Sequence, residues 1–365
     1  YSLSYIRVLY AMWLVRTVLS YLLTYRKSLL IADQKEYIAS ITGLILNVVS
    51  YLAIILLVTW EQNYLLALGI GTVTEVVLNI WISWYVEQKY PFLRQRRKEK
   101  STSSLTKRIV RDLKSLFISR ISEKMLYCTD NLIISGFIGV GTVGRYANYC
   151  MITQAISNIL TILANTIQPT VGDYFTEKNR QRNYEILRQL TFGFFCIASV
   201  VSVGLFSLIT PFVRDIWLGP SYELGWGITV FCIVVLLVRI MGLPLSLVMG
   251  VTGLFEKEKN VGASSALLNL IVSLALVKPY GMAGVLLGTL LSYLLQILYR
   301  YIIYFRDFLE MPGEALRYAQ DIGEYLAVIA GEVLLMQKIV PLIYGAGGML
   351  LFCVCFLLCI AIPLL

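Results

Sequence analysis

The sequence contains no histidine. That removes the usual general base and the commonest metal ligand from its chemistry. Its seven cysteines (Cys128, Cys150, Cys196, Cys232, Cys353, Cys355 and Cys359) form no CxxC pair. They read as small apolar residues within membrane helices. No GxxxxGK[ST] phosphate loop occurs, so the hydrolytic motif of nucleotide-driven pumps is absent. Charge is scarce: only 15% of residues are Asp, Glu, Lys or Arg, against about 25% in a soluble domain. Long polar connections are scarce too. Outside the stretch Glu87–Lys114 they are short, the longest external one being about Val213–Gly225. A polysaccharide polymerase or glycosyltransferase commonly needs a larger external loop or a catalytic cytoplasmic domain. The chain is therefore read as a non-enzyme, with no cofactor and no metal expected.

What is present is apolar. Hydrophobic residues make up 58% of the chain and the mean hydropathy is +0.73. The expected fold class is an all-α, polytopic membrane protein. Eleven runs approach the ~20 residues a bilayer needs. They cover about 4–24, 37–59, 64–86, 114–138, 143–168, 187–212, 226–249, 261–278, 281–304, 321–343 and 346–364.

The placement of Lys and Arg orients these spans. Connections 25–36, 87–114, 170–190, 250–260 and 300–320 hold 22 basic residues, whereas the opposite side holds four, Arg145, Arg214, Lys278 and Lys338. The basic set marks the cytoplasm, which puts the C-terminus inside. The first residue is Tyr and the chain enters an apolar run at once. We expect an N-terminally trimmed protein: 1–86 as three remaining helices of a first lobe, 87–113 as a basic cytoplasmic linker, 114–304 as a second lobe of six helices, and 305–365 as two added helices. The net charge of +9 resides largely in the loops. The linker KYPFLRQRRKEKSTSSLTKRIVRDLK lacks the aromatic interleaving of a nucleic-acid site and suits lipid headgroups; no nucleic acid is expected.

An internal repeat emerges at a shift of 222 residues. Lys35-Glu36 falls on Lys257-Glu258, and Leu46-Asn47 on Leu268-Asn269. A few residues later, Tyr64-x-x-Ala67 matches Tyr280-x-x-Ala283 and Gly71-Thr72 matches Gly288-Thr289. Six spans separate each matched pair, which suggests two homologous six-helix lobes of parallel topology.

The hairpin Lys114–Pro169 departs from the apolar pattern. At ~100° per residue, Arg120, Glu123, Lys124, Tyr127, Asp130, Asn131 and Ser135 share an arc of roughly 140°. Gln154, Asn158, Thr161, Asn165 and Gln168 form one stripe along the second arm. A charge at mid-bilayer costs about 2.5–3.5 kcal/mol even on the lenient insertion scale, so this face meets protein or water. Two readings remain open: arms packed on polar neighbours through internal ion pairs, or the wall of a hydrated cavity for a polar, anionic substrate. Arg239 precedes Gly242 and Pro244, and a broken helix is expected there. The spans hold five cations (Arg7, Arg16, Arg120, Lys124, Arg239) against four acids (Glu75, Glu123, Asp130, Glu332), which favours an anionic cargo.

Four stretches carry a family resemblance: IADQKEYI (Ile31–Ile38), DNLIISGFIGVGTVGRYANY (Asp130–Tyr149), QPTVGDYFTE (Gln168–Glu177) and YGMAGVLLGT (Tyr280–Thr289). The chain resembles the Wzx-type polysaccharide flippases of the multidrug, oligosaccharidyl-lipid and polysaccharide exporter superfamily. The resemblance implies transport of undecaprenyl-diphosphate-linked oligosaccharide across the bacterial cytoplasmic membrane, by alternating access, for capsule or exopolysaccharide synthesis. It also implies work beside a polysaccharide polymerase and glycosyltransferases, in contact with membrane lipids. For such a cargo Arg120 and Lys124 suit the diphosphate. Asn131, Gln154, Asn158, Asn165, Arg16 and Arg239 are further candidates for substrate contact, although amides also tie membrane helices together. Glu123 and Asp130 are candidates for a coupling proton or sodium ion, pairing with Arg120 or Lys124 being the alternative. Arg145 and Tyr149 are candidates for an outer gate, or for helix-end anchoring. The competing function is a drug or metabolite antiporter of the same superfamily.

Overall fold

Hydropathy this high predicts helices, because only helices and closed barrels satisfy their own backbone in lipid. The computed structural model describes residues 3–22, 24–33, 35–61, 63–91, 117, 124, 128–175 and 179–344, and among them no strand occurs. Seven helices among the described residues are long and apolar enough to cross a membrane. The protein is an all-α, multi-pass membrane protein. The expected span 346–364, much of the arm 114–138 before residue 128 and most of the linker 87–113 lie outside the described residues. The chain divides into two compact units, Tyr1–Thr102 and Ser103–Leu365.

The first unit holds α1 (Leu3–Leu22), α2 (Thr24–Ala32), α3 (Glu36–Glu61) and α4 (Tyr64–Lys89). The other three helices all pack on α4. Asn63 caps α4, its side-chain oxygen accepting from Leu65 N at 3.1 Å and Leu66 N at 3.4 Å, which satisfies two otherwise orphaned amides. Ionic ties complete the unit. Arg16 lies 3.7 Å from Glu75 and close over Gly71, where a Cβ would sit 2.8 Å from its guanidinium. Arg26 pairs with Glu87 at 2.5 Å. In the turn after α2, Lys35 and the Tyr90 hydroxyl both donate to Asp33. Those two hydrogen bonds, that from Lys35 first, hold the Asp33 carboxyl below its ordinary range.

The second unit holds α5 (residues 128–137), α6 (Val140–Phe175), α7 (Arg180–Pro211), α8 (Trp226–Val251), α9 (Phe255–Tyr280), α10 (Met282–Ile303) and α11 (Pro312–Tyr344). Helix α8 is its centre: α6, α7 and α10 all pack against it. The apolar core joins Phe194 of α7, Leu236 and Ile240 of α8, and Met336 of α11. A second cluster joins Ile134, Tyr149, Ile233 and Val285. Helices α9 and α10 make the closest pair, through Gly284-x-x-x-Gly288. A Cβ on Gly284 would strike the Leu276 backbone, and one on Gly288 would meet Ser273 and lie 3.1 Å from the Asn269 carbonyl. Such small-residue seams let membrane helices meet at backbone distance. Helix α11 is tied to α7 by polar contacts: Arg188 Nε donates to Asp321 at 2.7 Å, Thr191 and Tyr318 share a hydrogen bond at 3.1 Å, and Ser199 donates to Glu332.

Three expectations are corrected. The connection 25–36 is largely helical as α2, because its basic residues lie on a short helix packed against α4. The connection 300–320 is ordered: α10 continues through a wider helical turn to Leu309, the chain breaks at Glu310 (φ 52°), and α11 starts at Pro312, not near 321. Helix α8 is unbroken at Pro244. Two residues before Pro244, Gly242 lets Ile297 of α10 approach so closely that a Cβ would lie 2.9 Å from it, and α8 stays packed on α10.

The α9–α10 seam gives a first prediction. Gly288→Leu is expected to destabilise the protein by about 1–3 kcal/mol through overpacking, whereas Gly204→Ala, at a position with open space, is expected to be near neutral. Thermal unfolding of both variants in detergent checks the difference.

Candidate functional site

The site is built where three helices of the second unit meet. Helix α5 is anchored by Ile133 and Ile134, which pack with Tyr146, Tyr149 and Val285. That register turns Asp130 inward, to 4% exposure. The α9–α10 seam then presents Asn269 and Thr289 to it. Thr289 Oγ1 donates to Asp130 Oδ2 at 2.7 Å. Asn269 Nδ2 donates to Thr289 Oγ1 at 2.9 Å and reaches Asp130 Oδ1 at 3.5 Å. One turn further along α9, Ser273 Oγ donates to the Val285 carbonyl at 3.2 Å.

Among the described residues Asp130 has no ionic partner; its hydrogen-bonding neighbours are neutral. The Asn269 side-chain oxygen is buried and accepts no hydrogen bond. Its amide orientation follows from the carboxylate, since the opposite flip would set two oxygens against each other. The cluster therefore gathers a single carboxylate, an unsatisfied amide oxygen, two hydroxyls and a backbone carbonyl. Oxygen-only donors suit hard cations, and one negative charge balances one positive charge. The residues fit a proton or a monovalent cation such as sodium. Among the described residues no cluster of three or more His, Cys, Asp or Glu side chains occurs, so a transition-metal centre finds no ligand set there.

The shared polar arc of the first arm divides in the structure. Asp130 is buried, whereas Lys124 and Asn131 are exposed, because neighbours on a helix point ~100° apart. Arg120 and Glu123 lie outside the described residues. On α6, Asn158 and Asn165 are exposed, and Gln154 Nε2 donates to Asn158 Oδ1 at 2.8 Å. That bond runs along α6, not to a neighbouring helix. Arg239 stands 5.4 Å from the centre of the Tyr293 ring. Arg16 belongs to the first unit and pairs with Glu75. Arg145 is exposed, but Tyr149 is fully buried and its hydroxyl accepts from Leu224 N at 3.2 Å. Tyr149 thus pins the loop before α8. Among the described residues of the second unit, none of the substrate and gate candidates hydrogen-bonds to Asp130.

Asn269, Ser273 and Thr289 were not among the sequence-derived site residues. The repeat did single out Leu268-Asn269 and Gly288-Thr289, and it is the signal that leads to two of the three.

Comparison with known proteins bears on what this arrangement serves. Residues 1–175 match the model of the family described as polysaccharide biosynthesis protein. No curated protein matches the chain. Among solved structures, the lipid II flippase MurJ in an inward closed conformation aligns with a TM-score of 0.65 at 14% identity, covering 93% of this chain and 69% of that one. At that identity the likeness is one of fold.

The cluster yields a second prediction. Thr289→Val removes the hydroxyl that links Asn269 to Asp130 and is expected to cost about 1–3 kcal/mol. In an Asp130→Asn background the same change is expected to cost less, with a coupling energy of about 0.5–3 kcal/mol. A double-mutant cycle of thermal unfolding measures it, and strict additivity would mean the contact contributes nothing.

Proposed function

We propose that the protein moves undecaprenyl-diphosphate-linked oligosaccharide repeat units from the inner to the outer leaflet of the bacterial cytoplasmic membrane, by alternating access. The units would feed surface polysaccharide synthesis, downstream of glycosyltransferases and upstream of a polymerase. The observation that carries the reading is the match of residues 1–175 to a polysaccharide biosynthesis family. The fold it shares with a lipid II flippase supports a lipid-linked cargo, and the 22-to-4 distribution of basic residues supports a cytoplasmic C-terminus.

In this reading the chain's own groups divide the work. Arg120 and Lys124 attract the diphosphate, Arg offering a planar fork and Lys a point charge. Asn131, Asn158 and Asn165 offer amides to sugar hydroxyls, with Gln154 orienting Asn158 through its hydrogen bond. Arg16 and Arg239 add positive charge along the route. Asp130, with Asn269 and Thr289, holds the coupling cation or proton. Binding there compensates a buried carboxylate whose partners among the described residues are neutral, and its release restores the penalty.

Two outcomes test this. In cells dependent on the full-length protein, the double substitution Arg120→Ala, Lys124→Ala is expected to leave lipid-linked repeat units on the cytoplasmic face. Normal surface polymer at normal expression would remove these residues from the cargo path. In proteoliposomes carrying a fluorescent lipid-linked oligosaccharide, wild-type protein is expected to respond to an imposed sodium or pH gradient. Asp130→Asn is expected to abolish that response; an undiminished response would rule out Asp130 as the coupling group.

A further inference from the structure

The second unit contains a cavity that the proposed transport does not use. Helices α6 and α7 are consecutive, yet each packs mainly on α8. Between them lies a groove of about 610 Å³, within the ~300–1,000 Å³ range of small-molecule sites. On α7 its lining recurs every three or four residues, from Arg182 through Glu185, Gln189 and Gly193 to Ile197, so a single helix face supplies it. Val171 and Phe194 are its buried floor. The groove is open at Gly193, where a Cβ would meet nothing within 4 Å.

The two ends of the groove differ. Its mouth is polar, where α7 begins. Further along α7 the lining is apolar, and Leu163 and Ile167 of α6 face the same space. From Glu185 to Ile197 the groove follows about twelve residues of α7, roughly 18 Å at 1.5 Å per residue. That is close to half of a ~30 Å hydrocarbon core. One alkyl chain that reaches through a single leaflet matches the depth.

Charge at the mouth selects the head of such a molecule. The arginines there are engaged. The Arg182 guanidinium lies 5.5 Å from the centre of the Tyr174 ring and makes a further interaction. Arg188 is turned to α11, where Asp321 accepts from its Nε at 2.7 Å. Glu185 and Gln189 differ: both are exposed, and neither makes a hydrogen bond or ion pair among the described residues. They stand four residues apart, one turn of the same face. A carboxylate only accepts hydrogen bonds, and an ammonium only donates them. The Gln189 side-chain oxygen is a second acceptor beside it. The unmet capacity at the mouth is therefore for a cation that donates.

We propose that the α6–α7 groove binds a single-chain amphiphile with a primary ammonium head. The alkyl chain lies along Leu163, Ile167 and Ile197, and the ammonium donates to the Glu185 carboxylate and the Gln189 side-chain oxygen. Arg182 keeps its place on Tyr174 and is not a ligand. The site uses no residue assigned to the oligosaccharide or to the coupling ion, so it stands whether or not the proposed cargo is correct.

The test uses the full chain in phosphatidylcholine nanodiscs, with equilibrium dialysis against empty discs as the readout. The probes are dodecylammonium, dodecyltrimethylammonium, which carries the charge but cannot donate, and uncharged dodecanol. Wild-type protein is expected to bind dodecylammonium about tenfold more tightly than dodecyltrimethylammonium, the worth of one charge-assisted hydrogen bond, and dodecanol more weakly still. Glu185→Gln is expected to erase the preference for dodecylammonium and to leave the unfolding temperature unchanged, since the side chain is exposed. Gly193→Leu projects into open space and fills the groove; it is expected to weaken all three probes, again without lowering the unfolding temperature. Equal affinity of wild type for dodecylammonium and either control would overturn the proposal. So would a preference that survives Glu185→Gln, or binding that Gly193→Leu leaves intact.

Discussion

A carboxylate removed from water must find compensation, and in the second unit Asp130 finds it only in neutral groups among the described residues. The energetic stakes are high. Leaving a buried polar group unpaired costs about 1–3 kcal/mol, and more for a charged one. The Asp130 contacts exist because α9 and α10 approach to backbone distance at Gly284 and Gly288. A larger residue at either position would push the helices apart and carry Thr289 away from the Oδ2 it serves. Packing at the seam and charge at the site are thus one problem. The glycines allow the approach, the approach aligns an amide and a hydroxyl, and these help to make a buried acid tolerable.

That arrangement differs from how the chain treats its other acids. Glu75 and Glu87 face Arg16 and Arg26, and Asp321 faces Arg188. These pairs are at least partly exposed and join helix to helix. Glu332 also has a neutral neighbour, Ser199, but it is only half-buried and serves to dock α11 on α7. Asp130 is more deeply placed and sits beside an amide oxygen with no hydrogen-bond partner. An arginine there would close the account permanently. Neutral partners leave room for an ion or proton to come and go, as the proposed coupling role requires.

Much of this was legible in the sequence, in proportion to how local each feature is. Long apolar runs gave α3, α4, α8 and α10 nearly residue by residue, because a bilayer sets length directly. Helix α2 escaped because TYRKSLLIA is short and basic, and reads as a loop when charge alone is weighed. Pro244 suggested a break, yet α8 runs through it as a continuous helix. The polar arc of the first arm was found, but not its division, since only contact with α9 and α10 tells Asp130 from Asn131. The partners of Asp130 lie 139 and 159 residues away. No periodicity reaches that far. The repeat flagged Asn269 and Thr289 as positions retained in order, without the information that they face a common point.

The position of Asp130 in the chain suggests how a local binding event reaches the cargo path. Helix α5 joins α6 through Ile138 and Gly139, the latter at φ 124°, a conformation that favours glycine. The two helices share a core in which Ile133 and Ile134 meet Tyr146 and Tyr149. In the proposed mechanism that shared core carries the two helices as one hairpin. The exposed amides Asn158 and Asn165 sit further along the same α6. In the proposed mechanism, loading Asp130 changes how firmly α5 is held against α9 and α10. Because α5 and α6 are locked together, that change is delivered to the amide stripe without any relay of hydrogen bonds. The requirement is that the α5–α6 core be stiffer than the Asp130 contact. Ile133 and Ile134 join α5 to Tyr146 and Tyr149 of α6 and to Val285 of α10, whereas two hydrogen bonds hold Asp130 itself, one of them at 3.5 Å.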